Sequence, residues 1–516
     1  MKWDAWGDPA LAIALSDDIK ALLQNVLGVS AADVDAPSRD EVRLRRSALT
    51  DEDKDVLTDV VGPEYMSTRD ADRLLRAGGK STVDLLRRRS REPQDAPDAV
   101  VTPGSDSEIT AVLHICANRG IGVVPFGGGT SVVGGLEPIR GRFHALIALD
   151  LCRLTDFELD EVSLEATLGA GLPGPRAEEL LAEQGYELGH YPQSFRFATI
   201  GGFAATRSSG HASSGYGRFD QMVTGLRAVT PDGVVDLGRA PSSAAGPDLR
   251  ELFLGSEGVF GVITAVRVRV HPIPAARRYE AWTFPDFATG STAVRAVTQQ
   301  GSGPTVLRLS DEAETGITFA LAGRTGSGCL AVATFEGPPE QVAARLEATR
   351  VVLTDAGGTS LGAEPALAWE RGRFDAPYLR DALLANGALC ETLETATTWA
   401  NLAALKDAVT HALQAALGTS LVMCHISHVY PTGASLYFTV VAALGEHPID
   451  RWTFAKHAAS EAITSHDGTI THHHAVGVDH RPWMAQEVGE VGVRVLRAVK
   501  QTLDPAGILN PGKLIP

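Results

Sequence analysis

A glycine-rich loop that follows a short apolar segment constrains this sequence more than any other feature. The run Ile121–Phe126 is apolar and predicts a buried strand. Residues 127–131 then read Gly-Gly-Gly-Thr-Ser. Residues without side chains let the backbone bend tightly and bring its N–H groups against an anion, and the two hydroxyl groups add donors. The loop matches neither a Walker A loop nor Gly-x-Gly-x-x-Gly. It predicts a pyrophosphate site, and the alternative is a plain tight turn.

Composition bounds the class of protein. A chain of 516 residues exceeds one hydrophobic core, so we expect two to four domains. The net charge of −17 argues against a general nucleic-acid binder. Five cysteines without a C-x-x-C pair indicate buried free thiols in a reducing compartment. The sequence shows no apolar export segment and no membrane-spanning run, so we expect a cytoplasmic location. Peripheral membrane contact and a homodimer remain open.

Proline, glycine and charged segments divide the chain into four regions. We predict a helical region at 1–95, a domain that contains the glycine-rich loop at 96–273, a second domain of α+β type at 274–450 and a helical segment at 451–516. Strands are predicted at 144–149, 164–169, 262–270, 305–310, 330–335, 422–429, 434–443 and 469–474. Helices are predicted at 11–27, 70–78, 176–184, 343–356, 402–417 and 484–502, and one more begins at a Ser105–Glu108 capping box and ends at Gly120.

Three further turns of small residues follow the first loop, at 189–202, 205–210 and 254–263. Such turns are useful where the backbone must approach a flat ring and its phosphate tail closely. Their order resembles the FAD-binding domain of the vanillyl-alcohol-oxidase (PCMH) type of flavoproteins, and residues 503–513 are similar to the C-terminal tail of that group. The resemblance implies an α+β fold in which residues 96–273 are an FAD-binding domain of two α+β subdomains and residues 274–450 are an α+β cap (substrate) domain with an antiparallel sheet. It also implies that the segment 451–516 returns to the flavin site.

The same resemblance implies the cofactor contacts. FAD would be bound non-covalently, since the nearest side chains for a covalent link, His190 and His211, have no such role in the closer family named below. The turn at Gln193 departs from the family pattern, which more often has Asp there, so the contact would run through Ser194 and Thr199. The implied FAD contacts are Pro125, Phe126, Gly127, Gly128, Gly129, Thr130, Ser131, Gln193, Ser194, Thr199, Gly202, Thr206, Arg207, Ser208, Ser209, Glu257, Gly258, Val259, Phe260, Gly261, Val262 and Ile263.

Within this group the closer resemblance is to the alkyldihydroxyacetonephosphate synthase family. It covers nearly the whole chain, including the opening Met-Lys-Trp and residues 215–223. The resemblance implies a transferase of ether-lipid synthesis. Such an enzyme replaces the acyl group of an acyl-dihydroxyacetone phosphate by a fatty alcohol, through a flavin–substrate adduct and without net oxidation.

The triplet His472, His473 and His474 is the most unusual cluster of titratable residues. On a strand, His472 and His474 would share one face and His473 would take the other. Imidazoles suit proton transfer near neutral pH, and the resemblance places an equivalent triplet at the active site. The alternatives are a surface histidine run and a two-histidine metal site. We expect no metal, because no carboxylate or cysteine lies at ligand spacing nearby.

Three more residues are candidates for the reaction. Tyr437 should face away from Leu436 and Phe438 on its strand, and a lone strand tyrosine is usually structural. The resemblance makes it the general acid/base. Arg308 is expected on the strand face opposite its leucine neighbours, toward either solvent or the cleft, where its guanidinium would suit a phosphate or carboxylate. Arg380, on a predicted helix, either pairs with nearby acids or binds the substrate phosphate, as the resemblance implies.

Two rival functions use the same residues. The first is an FAD-dependent oxidoreductase that oxidises a 2-hydroxy acid or an alcohol and passes electrons to an acceptor. The second is a flavin-binding module without catalysis, which would leave the proton-transfer residues without a role. Nothing in the sequence fixes the chain length of a lipid substrate.

Overall fold

The structure is a computed structural model that describes residues 1–29, 37–301, 303–321, 323 and 325–516. The N-terminal region is helical, as predicted. Its first helix is shorter than the predicted 11–27, because the Ser16 hydroxyl accepts from the Ile19 amide and starts the helix there. The elements are α1 (Asp17–Leu27), α2 (Asp51–Val61), β1 (Met66–Ser67), α3 (Asp70–Leu75) and α4 (Thr82–Arg88).

Two larger sheets and one short pair of strands form the next part of the chain. The elements are β2 (Ala99–Val101), α5 (Asp106–Arg119), β3 (Ile121–Phe126), β4 (Ala145–Asp150), β5 (Phe157–Asp160), β6 (Glu165–Gly169), α6 (Gly174–Ala182), β7 (Tyr186–Glu187), α7 (Ile200–Ala205), α8 (Ser213–Tyr216), α9 (Phe219–Met222), β8 (Val223–Thr230), β9 (Gly233–Leu237), α10 (Arg250–Phe253), β10 (Val262–Arg269) and β11 (His271–Pro272). One sheet has the order β1-β2-β4-β3, in which β2, β4 and β3 are parallel. The other is antiparallel in the order β5-β6-β10-β8-β9. These sheets confirm the expected pair of α+β subdomains.

Helix α5 leads directly into the glycine loop. The Ser105 hydroxyl accepts from the Glu108 amide at 3.2 Å, whereas the Glu108 carboxylate accepts from the Gly104 amide at 2.8 Å. In a regular capping box the Glu108 carboxylate would accept from the amide of Ser105 itself. Here it accepts from the residue before it. The helix buries Ile109, Val112, Leu113 and Cys116, and Gly120 ends it with φ +68°. The chain then enters β3, which is buried as predicted.

A large antiparallel sheet with helices on it follows. The elements are β12 (Ala276–Phe284), α11 (Phe287–Gln299), β13 (Val306–Ser310), α12 (Glu312–Leu321), β14 (Cys329–Gly337), α13 (Pro339–Asp355), β15 (Thr359–Gly362), α14 (Glu364–Gly372), α15 (Ala376–Ala385), β16 (Ala388–Thr398), α16 (Leu402–Leu417), β17 (Ser420–Tyr430) and β18 (Gly433–Ala443). The strand order is β15-β12-β14-β13-β17-β18-β16. This arrangement confirms the predicted α+β cap with an antiparallel sheet.

The C-terminal segment contains α17 (Pro448–Ser465) and α18 (Met484–Leu503), the second broken at Gly489. The predicted strand at 469–474 is wrong: these residues form bends. The amides of residues 472–474 donate to the side chain of Glu394 and not to a neighbouring strand. Beyond α18 the tail pairs beside β3, where the Val123 amide donates to Ile508 and the Asn510 amide donates to Val123.

Two expectations from composition have different outcomes. All five cysteines are free, and four are buried, but Cys152 is exposed. Among the described residues, no helix has both the length and the apolar character needed to cross a bilayer. The division at residues 95, 273 and 450 stays a prediction.

Candidate active site

The glycine loop offers a run of free amide donors. Within the described chain, the backbone N–H groups of residues 127–134 donate to no protein acceptor. The loop lies against the turn at 193–199, since a Cβ on Gly128 would fall 2.0 Å from the Phe197 carbonyl oxygen. In that turn the Gln193 side-chain nitrogen is buried without a hydrogen-bond partner. Unpaired donors in a glycine-lined cradle fit the diphosphate and the polar edge of FAD.

The close packing of Gly128 gives a direct test of this loop. In Gly128→Ala the new Cβ would collide with a backbone carbonyl, which cannot move aside as a flexible side chain can. We expect purified protein that has lost its visible flavin absorbance. The matched control is Gly316→Ala in α12, where nothing lies within 4 Å of the added Cβ, and it should retain the flavin. A yellow Gly128→Ala protein with normal flavin content would contradict the assignment.

Residues of the turn at 205–210 form contacts within the protein. Arg207 has φ +49° and donates to Asp220 at 3.0 Å and to the Leu254 carbonyl at 3.1 Å. The Ser208 hydroxyl lies 3.1 Å from His190 Nε2. Burial lowers the pKa of His190 to about 3, so this imidazole is neutral. Direct FAD contacts by Arg207 and Ser208, and the non-covalent attachment, stay predictions.

The turn at 254–263 joins the cofactor loops to the C-terminal segment. Glu257 accepts from the amides of Val476 and Gly477 at 3.1 and 2.7 Å. The Asn510 side chain donates to the carbonyls of Gly135 and Glu257. The segment that follows the histidine triplet is therefore attached to the turn at 254–263. The return of this segment to a flavin site stays a prediction. No local pattern in the sequence indicates these hydrogen bonds.

Four neighbouring strands of the cap sheet present polar side chains on one face. Tyr437 on β18 is directly opposite His425 on β17 and Glu394 on β16. The rings of His425 and Tyr437 stack at 4.9 Å. His425 is opposite Ser310, so Arg308 on β13 shares this face. Leu436 and Phe438 are fully buried on the other face, which confirms the predicted direction of Tyr437.

Glu394 holds the histidine segment in place. Its fully buried carboxylate accepts from the amides of His472, His473 and His474 at 2.7, 3.2 and 2.9 Å. It also accepts from the Thr471 hydroxyl at 2.6 Å. Sequence reasoning missed this residue, because a glutamate in the middle of β16 carries no local signal of a partner about 80 residues away.

All three imidazoles lie in one cluster, so the predicted alternation of the triplet between two faces is wrong. His473 and His474 lie at 6.0 and 5.5 Å from the Tyr437 ring, between centroids. The Tyr430 hydroxyl lies 2.7 Å from His472 Nε2. His472 Nδ1 lies 3.0 Å from His473 Nδ1. The hydrogen-bonded loop, unlike a strand, points consecutive side chains into the same space.

Burial sets the protonation states of the cluster. It lowers the pKa of His473, and it lowers the pKa of His474 to about 3, so both rings are neutral at pH 7. Burial raises the pKa of Tyr437 to about 12, so the phenol keeps its proton. Burial opposes ionisation of Glu394, but the three histidines, which attract the carboxylate once they take up protons at low pH, and the Thr471 hydroxyl hold its pKa well below the ordinary value. The cluster thus has one anion, neutral bases and a protonated phenol.

The two candidate arginines have different surroundings. Arg308 uses only Nη2 in its described contacts, with Glu314 and with His425 Nδ1 at 2.9 Å, so the rest of its guanidinium is available. Arg380 on α15 is buried, and it donates to Asp381 at 3.0 Å and to the Lys80 carbonyl. Its described contacts do not include Tyr437 or the histidine triplet. Its role in substrate binding stays a prediction.

The structure also removes the sequence argument against a metal. His428 on β17 joins His472 and His473, and their ligand nitrogens lie within 4.8 Å of one another. The carboxylate of Glu394 is next to them, 3.4 Å from His473 Nδ1. A break in the β17–β18 register between Ile426 and Val429 brings His428 to the face of His425, where strict alternation would not place it.

Comparisons with known proteins agree with this architecture. Two family models match the chain, "FAD binding domain" over residues 97–238 and "FAD linked oxidases, C-terminal domain" over residues 273–514. The fold matches the solved structure of p-cresol methylhydroxylase with a TM-score of 0.71 and 15% identity, covering 91% of this chain and 98% of that one. The chain is an FAD-dependent enzyme of the vanillyl-alcohol-oxidase (PCMH) type.

More similar proteins narrow the family. An alkyldihydroxyacetonephosphate synthase of Dictyostelium discoideum is 33% identical over 484 residues, which is 88% of this chain and 79% of that protein. A solved structure of an alkyldihydroxyacetonephosphate synthase matches with a TM-score of 0.85 and 28% identity, covering 100% of this chain and 99% of that one. The chain belongs to the alkyldihydroxyacetonephosphate synthase family.

Proposed function

We propose that this protein exchanges the acyl group of an acyl-dihydroxyacetone phosphate for a fatty alcohol. The observation that carries the proposal is the position of Tyr437, which faces neutral imidazoles of His473 and His474 beside loops suited to FAD. When bound, FAD supplies a ring nitrogen that acts as the nucleophile of the exchange. An exchange of this kind needs proton transfers but no electron acceptor.

Tyr437 and the histidines would move the protons. The phenol keeps its proton at neutral pH and can donate it to a leaving carboxylate. To accept a proton it must first release its own, and the neutral ring of His473 provides the acceptor. Glu394 fixes the loop that carries the rings and stabilises a ring that becomes charged, because its carboxylate is adjacent.

The arginines would hold the charged part of the substrate. The unengaged guanidinium atoms of Arg308 lie on the same sheet face as Tyr437 and suit a phosphate or carboxylate oxygen. Arg380 is proposed as a second phosphate contact, as family resemblance implies. That role requires it to exchange its bond with the Lys80 carbonyl for one with the substrate.

The direct test uses the purified, flavin-loaded chain with palmitoyl-dihydroxyacetone phosphate and hexadecanol. We expect the ether product and free palmitate in equal amounts, with no dye reduction. The same protein with 2-hydroxy acids and an artificial dye acceptor distinguishes the rival. Steady dye bleaching without ether formation would identify an oxidoreductase and overturn the proposal.

The place of action is part of the proposal: the cytoplasm, with contact to a membrane surface from which a long-chain alcohol can be taken. It is supported by two exposed valines one turn apart in α18, Val491 and Val495. Co-sedimentation with neutral lipid vesicles should fall when Val491 and Val495 are changed to Ser. If these valines instead form the contact of a homodimer, the substitution should weaken the dimer, and the sedimentation coefficient of the protein should fall.

A further inference from the structure

The histidine cluster has a feature that proton transfer does not require. His428 is 4% exposed, and its Nδ1 is buried without a hydrogen-bond partner. A buried polar nitrogen without a partner costs free energy unless something binds it. Its ring stacks on that of His472 at 5.2 Å and meets the ring of His473 edge-on at 5.3 Å. The three rings therefore surround a common point.

The facing nitrogens have nearly the separation that a metal ion imposes. His472 Nδ1 and His473 Nδ1 are 3.0 Å apart. Two imidazole nitrogens bound to one tetrahedral ion at about 2.0–2.1 Å are roughly 3.3 Å apart. The two nitrogens would need to move apart by only a few tenths of an ångström to bind one ion. The lone pairs of the two Nδ1 atoms repel each other, so at this distance a proton or a cation must lie between them.

The surroundings complete the chemistry of a cation site. The Tyr430 hydroxyl at 2.7 Å can accept from His472 Nε2–H, which leaves the Nδ1 lone pair free. His473 frees its own Nδ1 by moving its proton to Nε2. The anionic Glu394 carboxylate, 3.4 Å from His473 Nδ1, offsets part of a divalent charge.

We propose that His428, His472 and His473 bind one divalent transition-metal ion of the Zn²⁺ class. Three imidazoles favour zinc, copper or nickel over magnesium or calcium, which prefer oxygen ligands. No metal is expected from the residues next to the triplet in sequence, since His428 and Glu394 come from distant parts of the chain. This inference concerns binding. With zinc on His473, the ring left to exchange a proton with Tyr437 is His474, which lies 5.5 Å from it and is not a ligand.

The test measures zinc alone. The untagged, flavin-loaded chain is treated with a chelator and dialysed against Zn²⁺, and bound metal and flavin are quantified. We expect one zinc per chain, and His428→Asn should weaken its binding at least tenfold. The matched control is His466→Asn, an exposed histidine just before the cluster, which should bind like the wild type. Zinc bound equally by His428→Asn, or not bound by the wild type, would overturn the proposal.

A second measurement covers a His428 variant that fails to fold. Zinc should raise the unfolding temperature of the wild type, since a ligand of the native state stabilises it by mass action, whereas magnesium should not. An equal shift with both ions, or none with zinc, would overturn the proposal. Because neither readout is turnover, a failed synthase assay leaves the zinc result intact.

Discussion

Tyr437→Phe should abolish ether formation while the purified protein stays yellow. The substitution removes only the hydroxyl of a residue whose ring stacks on His425 and lies close to His473 and His474. Loss of a positioned acid/base group lowers turnover by about 10²–10⁴-fold. The fold should tolerate the change, because Phe retains the ring. The measurement is kcat for ether formation together with flavin content and thermal midpoint.

The control for this substitution is Tyr430→Phe. That hydroxyl bonds His472 and does not touch the Tyr437 ring in the described contacts, so we expect a smaller loss of kcat. Two results would count against the role of Tyr437. A colourless Tyr437→Phe protein would show that the phenol supports cofactor binding, and unchanged kcat would show that protons move by another route.

Glu394→Gln should destabilise the protein and lower activity together. The carboxylate accepts four hydrogen bonds from residues 471–474, whereas a glutamine presents one oxygen and an NH₂ group that would face N–H donors. A buried charged acceptor lost from such a site costs about 3 kcal/mol. We expect a lower thermal midpoint and a lower kcat with little change in KM for the acyl substrate, because the imidazoles lose their fixed positions.

The pH dependence of the thermal midpoint distinguishes the effect of the charge of Glu394 from that of its size and packing. The folded pKa of Glu394 lies below its unfolded value, near 4.3 for a free glutamate. Its stabilisation is therefore present above that value and is lost as pH falls toward the folded pKa. The difference in thermal midpoint between wild type and Glu394→Gln should be constant above about pH 5 and narrow below about pH 4. A difference independent of pH would contradict this account.

The matched control for this glutamate is Glu487→Gln. Glu487 accepts from the Thr469 hydroxyl at 2.7 Å and the Ile470 amide at 2.9 Å, so it anchors the same segment just before the histidines. Its bonds are closer to solvent, and we expect a small change in thermal midpoint and nearly normal kcat. If the two substitutions lower the thermal midpoint and kcat equally, any hydrogen bond that holds this segment has the same effect, and Glu394 has no special role.

Local pattern was sufficient for much of the fold. The apolar run of β3, the glycine that ends α5 and the alternation around Tyr437 were readable because periodicity and turn chemistry act over a few residues. The same pattern misled at 469–474, where β-compatible residues form a bent segment. There the amides of residues 472–474 donate to a distant side chain, which no local signal reveals.

Local patterns in the sequence were enough to indicate the kind of protein: glycine turns in an order that suits a dinucleotide, and a tyrosine, histidines and arginines that we propose for proton transfer and anion binding. How these residues meet depends on the tertiary structure. Strand pairing put Glu394 and His425 beside Tyr437, and a register break brought His428 to the triplet. The physical reason is that backbone propensity is local, whereas strand register and buried polar partners depend on contacts between residues far apart in the chain.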